Sequence, residues 1–459
     1  MTKQAGFKRR VRARMAKTGE SYATARGMLL AGHPGVTPDD SPLDWMPEAL
    51  HISNGDATDV PGTGLARRVV YWRDVLHEGP VPDVPPAELR RIRIDHLAGY
   101  PGVDRAEVTR QFAERDQALE AARDGEYVLW FEADLYDQLQ IIEILARLAG
   151  LGVPAGRVTL ICIGEHAGIA RFGGLGELTA EQLRDLPDTN ACTRLTPAAL
   201  DLATRAWAAF RAPTPASLGP TPAGLGPIAA TRLPELRFLG EAFDRLTREY
   251  PATRDGLSLT ERRLLAAVAD TVPATDTAPA TDTAPATDAA PATDAAPATD
   301  AAPATDAAPA ADAAPATDAA PATDAAPAIP APPEVGGPPV SDAAPVAGTT
   351  FVAAGAVFVR AAARETRPFM GDTTAFARID QLAAGPHPLL LLDPPGRPVQ
   401  RTTGVRLTST GARVLAGQAD QIALNGIDRW IGGVHLQGHH VPWRWDDGTE
   451  TLVHLPTPP

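Results

Sequence analysis

Four short apolar runs in the first half of the chain each end in polar residues able to do chemistry. Asn54-Gly55-Asp56 follows Leu50–Ser53, a run that contains His51. The run Val69–Trp72 leads into Asp74, His77 and Glu78. Glu132, Asp134 and Asp137 follow Tyr127–Phe131, and Glu165-His166 follows Arg157–Gly164. Carboxylates beside an imidazole can work as a general acid and base. The same groups can hold a hard divalent cation and position a water. Glu132, His77 and Asp74 are the candidate catalytic residues. His51, Asn54, Asp56, Trp72, Glu78, Asp134 and Asp137 are the candidate ligand contacts. Each has a plainer role beside the chemical one. Asp56 suits a turn, Asp134 and Asp137 suit the first turn of a helix, and Trp72 and Trp130 suit core packing as well as a planar ligand. Cys162, inside a run, reads as a buried thiol. His435, His439 and His440 could bind metal, or lie on the surface of a hairpin.

These groups need a scaffold. The four runs read as buried parallel strands. Helical patterns follow over 104–123, 135–148, 179–186, 196–211 and 233–250. Asp104 with Glu107 and Thr179 with Gln182 have capping-box spacing, and Thr196-Pro197 supplies an N-cap and a first-turn proline. Alternating strands and helices predict an α/β, Rossmann-like, mostly parallel sheet domain. Ligands of such sheets bind beyond the carboxyl ends of the strands, which is where the polar clusters fall. No GxxxxGK[ST] phosphate loop is present.

The formal charge is -14, unevenly spread over 459 residues. Residues 1–30 carry +7, residues 264–350 carry -12, and residues 31–263 carry -10. Asp recurs every six residues from Asp270 to Asp324, and Pro keeps the same period from Pro273 to Pro327. No helix survives such a proline spacing, and Ala, Thr and Asp offer nothing to bury, so an extended, disordered spacer is expected. It splits a second pattern. Ser258-Leu259-Thr260-Glu261 opens a helix to Ala269. Helices over 353–365 and 373–384 and strands over 388–392 and 405–407 come after the spacer, then a helix over 408–416. Three helices and then a β-hairpin is the order of a winged helix, so a winged-helix-like α+β module interrupted by the spacer is expected. Trp443–Leu455 reads as a closing hairpin. The expected division is a basic arm (1–40), the Rossmann-like domain (48–212), a helical connector with the module's first helix (228–269), the spacer (270–350), and the rest of the module with the terminal hairpin (351–459).

Four stretches together resemble one bacterial family, the domain of unknown function 1835. They are His51-Ile52-Ser53-Asn54-Gly55-Asp56, Trp72 through Pro80, Trp130 through Leu139, and Leu424 through Leu436, which contains Asn425-Gly426 and Gly432-Gly433. The resemblance covers most of 48–264 and 351–450. It implies a Rossmann-like domain with a C-terminal extension and brings no activity. The spacer is unusual for the family, and the link between the first two strands, with Pro61, Gly62 and Gly64, is too broken for a full crossover helix.

No run of about 18 apolar residues suggests a membrane span, no apolar stretch follows the basic start as in a secretory signal, and two cysteines make no disulfide framework. A cytoplasmic protein is expected. Lys8, Arg9, Arg10, Arg12 and Arg14 of the arm and an outward-facing Arg378 on the module's third helix are the candidate nucleic-acid contacts. The leading expectation is a ligand- or metal-sensing regulatory protein associated with nucleic acid. A metal-assisted hydrolase of a phosphate ester or nucleotide and a non-catalytic interaction scaffold are the alternatives. The closure cost of a loop grows only logarithmically with its length. Deleting Thr271–Pro345 and closing the gap with a short Gly/Ser loop therefore preserves the cooperative unfolding transition. Loss of that transition, followed by circular dichroism, would place the spacer inside the fold.

Overall fold

Strands β1 (Leu50–Ser53), β2 (Arg68–Tyr71), β3 (Tyr127–Glu132), β4 (Val158–Ile163) and β5 (Cys192–Arg194) form one sheet in the order β2-β1-β3-β4-β5. The computed structural model describes residues 45–216, 220–221, 224–225, 234–270, 350–396 and 398–456. The basic arm, the repeat and Arg397 lie outside them. The first four strands are parallel and β5 is antiparallel to β4. The sheet is thus mixed and mostly parallel. β1 has β2 on one side and β3 on the other, so the chain reverses direction across the sheet there. The β1–β2 link holds only a single-turn helix at Pro61–Thr63.

Side chains alternate between the two faces of a strand, and both faces here are covered. Tyr127, Leu129 and Phe131 of β3 enter one core, and Val128 and Trp130 enter another. The first core lies against α3 (Leu135–Gly150), which is buried on almost every side, and α5 (Pro197–Arg211). The second packs under a short α4 (Ala180–Asp185), whose Thr179 and Gln182 form the expected capping box. Between β2 and β3 run α1 (Pro86–Leu97) and α2 (Arg105–Ala121). The sequence reading has no helix over α1, because charged residues obscure its apolar positions. β2 is also a correction: it is an edge strand with exposed and half-buried residues, where a buried strand was expected.

After a two-residue strand pair, β6 (Pro220–Thr221) and β7 (Gly224–Leu225), come α6 (Leu239–Thr247) and α7 (Leu259–Ala269). The chain resumes with β8 (Val352–Ala353), α8 (Ala354–Ala362), α9 (Asp372–Leu382), β9 (Leu390–Asp393) and β10 (Gly404–Leu407). β8, β10 and β9 form an antiparallel sheet in that order. Leu264, Leu265 and Val268 of α7 share one core with Val357 of α8, Ile379 of α9 and Val405 of β10. Residues before and after the repeat therefore build one module.

Helices α10 (Ser409–Leu415) and α11 (Gln421–Asn425) lead to two hairpins, β11 (Ile427–Ile431) with β12 (Val434–Gly438) and β13 (Trp443–Asp446) with β14 (Thr451–His454). Ile431, Leu436, Trp445 and Leu452 belong to the core of the five-stranded sheet, so the chain end returns to the first half. Among the described residues no helix is long and apolar enough to cross a membrane.

The Gly432-Gly433 turn fixes that return. Gly432 has φ +59°, and Gly433 N–H donates to Phe210 O at the end of α5 at 2.9 Å. A Cβ on Gly433 would lie 1.8 Å from Arg211 O. Gly433→Ala therefore lowers stability by about 1–3 kcal/mol, the usual range for overpacking, read from urea unfolding of the full chain. An unchanged midpoint would show that the turn can lift off α5.

Candidate functional site

The edge where β1 and β3 end is held by a network of short hydrogen bonds. Asp134 caps α3, its Oδ1 accepting the Asp137 N–H at 3.0 Å. Asp137 then accepts Asn54 Nδ2 at 2.8 Å and the Glu132 N–H at 2.5 Å. Gln138 Nε2 donates to Glu132 O at 2.7 Å. The side chain of Glu132 turns across to the loop after β4, where its Oε1 accepts the Leu175 N–H at 2.6 Å. It lies against the backbone of Gly174, which has φ +155°, and a Cβ there would meet Glu132 Oε2 at 2.6 Å. Only glycine lets the carboxyl sit there.

Three carboxyls thus share one low-dielectric edge. Burial pushes Glu132 up to about 8, and the Asp134 carboxylate adds to the effect. Burial likewise pushes Asp134 up to about 6, opposed by N–H donors at the start of α3 and by Arg367. Asp137 is raised well above the ordinary range by burial and by its two acidic neighbours. A carboxyl that changes protonation near neutral pH can donate a hydrogen bond, accept one, or transfer a proton.

Two adjoining clefts open from this edge. One, of about 20 Å³, lies between Glu132, Asp134, Gly164, Gly174 and Arg367. The other, of about 220 Å³, begins at Asp134 and runs between α6, α7 and the segment Glu365–Arg367. Arg367 borders both. Its Nη1 donates to Gly164 O at 3.0 Å, its Nε donates to Glu241 at 2.9 Å, and it lies over the Phe238 ring. Among the described residues no three His, Cys, Asp or Glu side chains gather as metal ligands.

Of the expected site residues, Asn54, Glu132, Asp134 and Asp137 come together. The others do not join them. Asp56 is an exposed turn residue paired with Arg73 at 2.9 Å. His51 is buried, accepting Trp130 Nε1–H on Nδ1 at 2.9 Å and meeting Met46 O through Nε2 at 2.8 Å. Those partners fix one neutral tautomer, and burial lowers its pKa to about 4. Trp72 is a core residue whose Nε1 donates to Glu143 at 2.8 Å, so it stacks no ligand. Asp74 is buried under Arg93 of α1, accepting its Nε and Nη2 at 3.0 and 2.7 Å. The same guanidinium donates to Val75 O and Glu78 O, so the pair shapes the His77-Glu78-Gly79-Pro80 loop rather than facing a substrate.

His77 is buried between Phe369 and Tyr136, ring centroids 5.1 and 5.9 Å away, with neither ring nitrogen hydrogen-bonded. Burial lowers its pKa to about 4, with the Glu78 carboxylate opposing. Glu78 pairs with Arg378 at 2.5 Å. Arg378 is therefore buried, which corrects its expected outward position on α9. Cys162 is a buried thiol donating to Glu132 O at 3.3 Å, and burial pushes its pKa up. His435 pairs with Asp428 and stacks on Trp430 in the β11–β12 hairpin. The sequence reading missed Arg367 and the Leu175 N–H, whose partners lie far away in the chain, and Arg93, whose partner Asp74 lies across a loop on another element. No family model, curated protein or solved structure matches this chain.

Because Glu132 is protonated in the fold up to about pH 8 and ionises near 4.5 when unfolded, its burial favours folding most at mildly acid pH. That contribution declines as pH rises through this window. Glu132→Gln keeps the shape without the charge, so it unfolds at least about 1 kcal/mol less readily than wild type at pH 8, and the difference shrinks towards pH 5. Thermal unfolding of both proteins across pH 5–9 checks this. Parallel pH profiles would mean that Glu132 is ionised throughout.

Proposed function

We propose that this chain is a ligand-sensing regulatory protein, in which a small molecule binds at the β1/β3 edge and the C-terminal helices respond. The observation that supports this most is the place of Arg367. It lies in the segment joining α8 and α9, yet it borders both clefts and contacts the loop after β4 and helix α6. A ligand beside Asp134 therefore touches the segment that sets α8 against α9. A ligand shifts a conformational equilibrium only through contacts that differ between the two states, and Arg367 is the group placed to make that difference.

Two further features support the reading. The five-stranded sheet carries its acidic cluster where strand order reverses, as expected of a Rossmann-like domain with a ligand at its switch point. Helices α7, α8 and α9 with the β8-β10-β9 sheet follow the element order of a winged helix. In this reading α8 and α9 are its second and third helices. Arg378, the only Lys or Arg on α9, is buried, and Asp372, Thr373 and Gln381 are exposed there. Nucleic-acid contact therefore belongs to the basic arm at Lys8–Arg14 rather than to α9. The resemblance to the domain of unknown function 1835 suits this two-part reading and a cytoplasmic setting.

The test is differential scanning fluorimetry of the full chain against nucleotides, sugar phosphates, amino acids and divalent cations, with hydrogen exchange read across residues 363–382. An effector raises Tm of the wild type by several degrees, changes exchange in that segment, and loses most of its effect in Asp134→Asn. Equal stabilisation of both proteins, or unchanged exchange at 363–382, overturns the proposal.

A further inference from the structure

Four arginines and four acids line the larger cleft, and not every guanidinium donor finds an acceptor there. Arg245 is fully committed. It donates to Glu249 at 2.7 Å, to Glu365 at 3.0 and 2.8 Å, and to Thr260 at 2.9 Å. Arg367 is committed to Glu241 and Gly164 O. Arg248, just past α6, is not. Its Nε is buried without a hydrogen-bond acceptor, its carboxylate neighbours Asp244 at 3.5 Å and Glu450 at 3.9 Å are partly open to solvent, and its guanidinium lies over the Trp445 ring. Arg263 of α7 is the second case. Its Nη1 pairs closely with Glu365, which already accepts the fork of Arg245, so two guanidiniums share one carboxylate.

Buried donors are normally satisfied by protein, water or a ligand. Two guanidiniums with spare N–H groups in one cleft suit a dianion with several acceptor oxygens, which is the chemistry of a phosphoryl group. Leu135 and Leu259, the first residues of a 16-residue and an 11-residue helix, also line this cleft. The positive ends of those helices add to the field an anion would feel. Asp134, Glu241, Asp244 and Glu365 on the same lining disfavour a bare anion, and Asp134 accepts a hydrogen bond from any hydroxyl or amine attached to one. A volume of about 220 Å³ suits a molecule of a few carbons and falls below the range of about 300–1,000 Å³ common for drug-sized ligands.

We propose that this cleft takes a small phosphorylated metabolite, its phosphoryl group held between Arg248 and Arg263 and its hydroxyl or amino group meeting Asp134. The proposal rests on the reading of this edge as a ligand site, and it names the ligand's class.

Isothermal titration of the full chain with glycerol 3-phosphate, inorganic phosphate and acetate, at matched ionic strength, tests it. Glycerol 3-phosphate binds, inorganic phosphate binds more weakly, and acetate does not bind. Arg248→Gln and Arg263→Gln each weaken glycerol 3-phosphate binding by at least about tenfold, and Arg205→Gln, on the exposed face of α5, leaves it unchanged. Arg248 is the less buried of the pair, so its variant still decides the matter where Arg263→Gln fails to fold. Failure of both phosphate probes to bind into the millimolar range, equal binding by wild type and Arg248→Gln, or acetate matching phosphate overturns the proposal. If an effector that depends on Asp134 ignores both arginines, this inference falls and the ligand site stands. If Asp134→Asn changes the binding of nothing, both fall.

Discussion

Asp137 is the buried carboxylate on which the sheet edge depends. It accepts from the side chain of Asn54 and from the backbone of Glu132, and its own N–H is held by Asp134. One side chain thus ties the ends of β1 and β3 to the first turn of α3. A buried carboxyl is costly unless its oxygens are hydrogen-bonded, and these bonds meet that requirement. Its cost also spreads to its neighbours. Glu132 and Asp134 share the same dry edge: burial raises both, and the Asp134 carboxylate raises Glu132 further. The scaffold that fixes the edge is therefore also what brings its acids towards neutral pH.

A second constraint joins the halves of the chain across the repeat. Glu78 pairs with Arg378, Glu261 with Arg429, and Glu365 with both Arg245 and Arg263. Each pair is largely buried. Buried ion pairs add little net stability, because desolvation offsets attraction. They do penalise every arrangement that leaves one partner alone. The three-helix module is thereby held in one register against the sheet, with Arg367 over the edge. Arg378, expected to face outward, is instead used for internal docking against Glu78.

Much of the local structure was legible in the sequence. β1 and the start of β3 follow from apolar runs closed by polar residues, and the capping boxes at Thr179 and Ser258 form as their spacing predicts. The helix–helix–hairpin order after the repeat, the hairpin at Trp443–His454 and the broken β1–β2 link were equally readable. Helix α1 was not, since its charged residues are placed by tertiary pairing, with Arg93 buried against Asp74. β5 was not, since a three-residue edge strand has too little pattern to stand out.

For the site, the residue types were apparent and their partners were not. Asn54, Glu132, Asp134 and Asp137 could be named because they lie at or just after strand ends, which meet along one edge in any such sheet. His51, Trp72, Asp74 and His77 have the same polar signature, yet the fold buries each of them for packing or bracing. Nothing local separates the two groups. Composition and spacing by themselves determined β1, β3 and β4, the helix caps, the turns and the interrupted module, because those depend on residues a few positions apart. Only the tertiary structure decided which acids face the clefts, which histidines are buried and which arginine crosses to the edge. Those outcomes depend on desolvation and pairing between residues as far apart as Glu78 and Arg378.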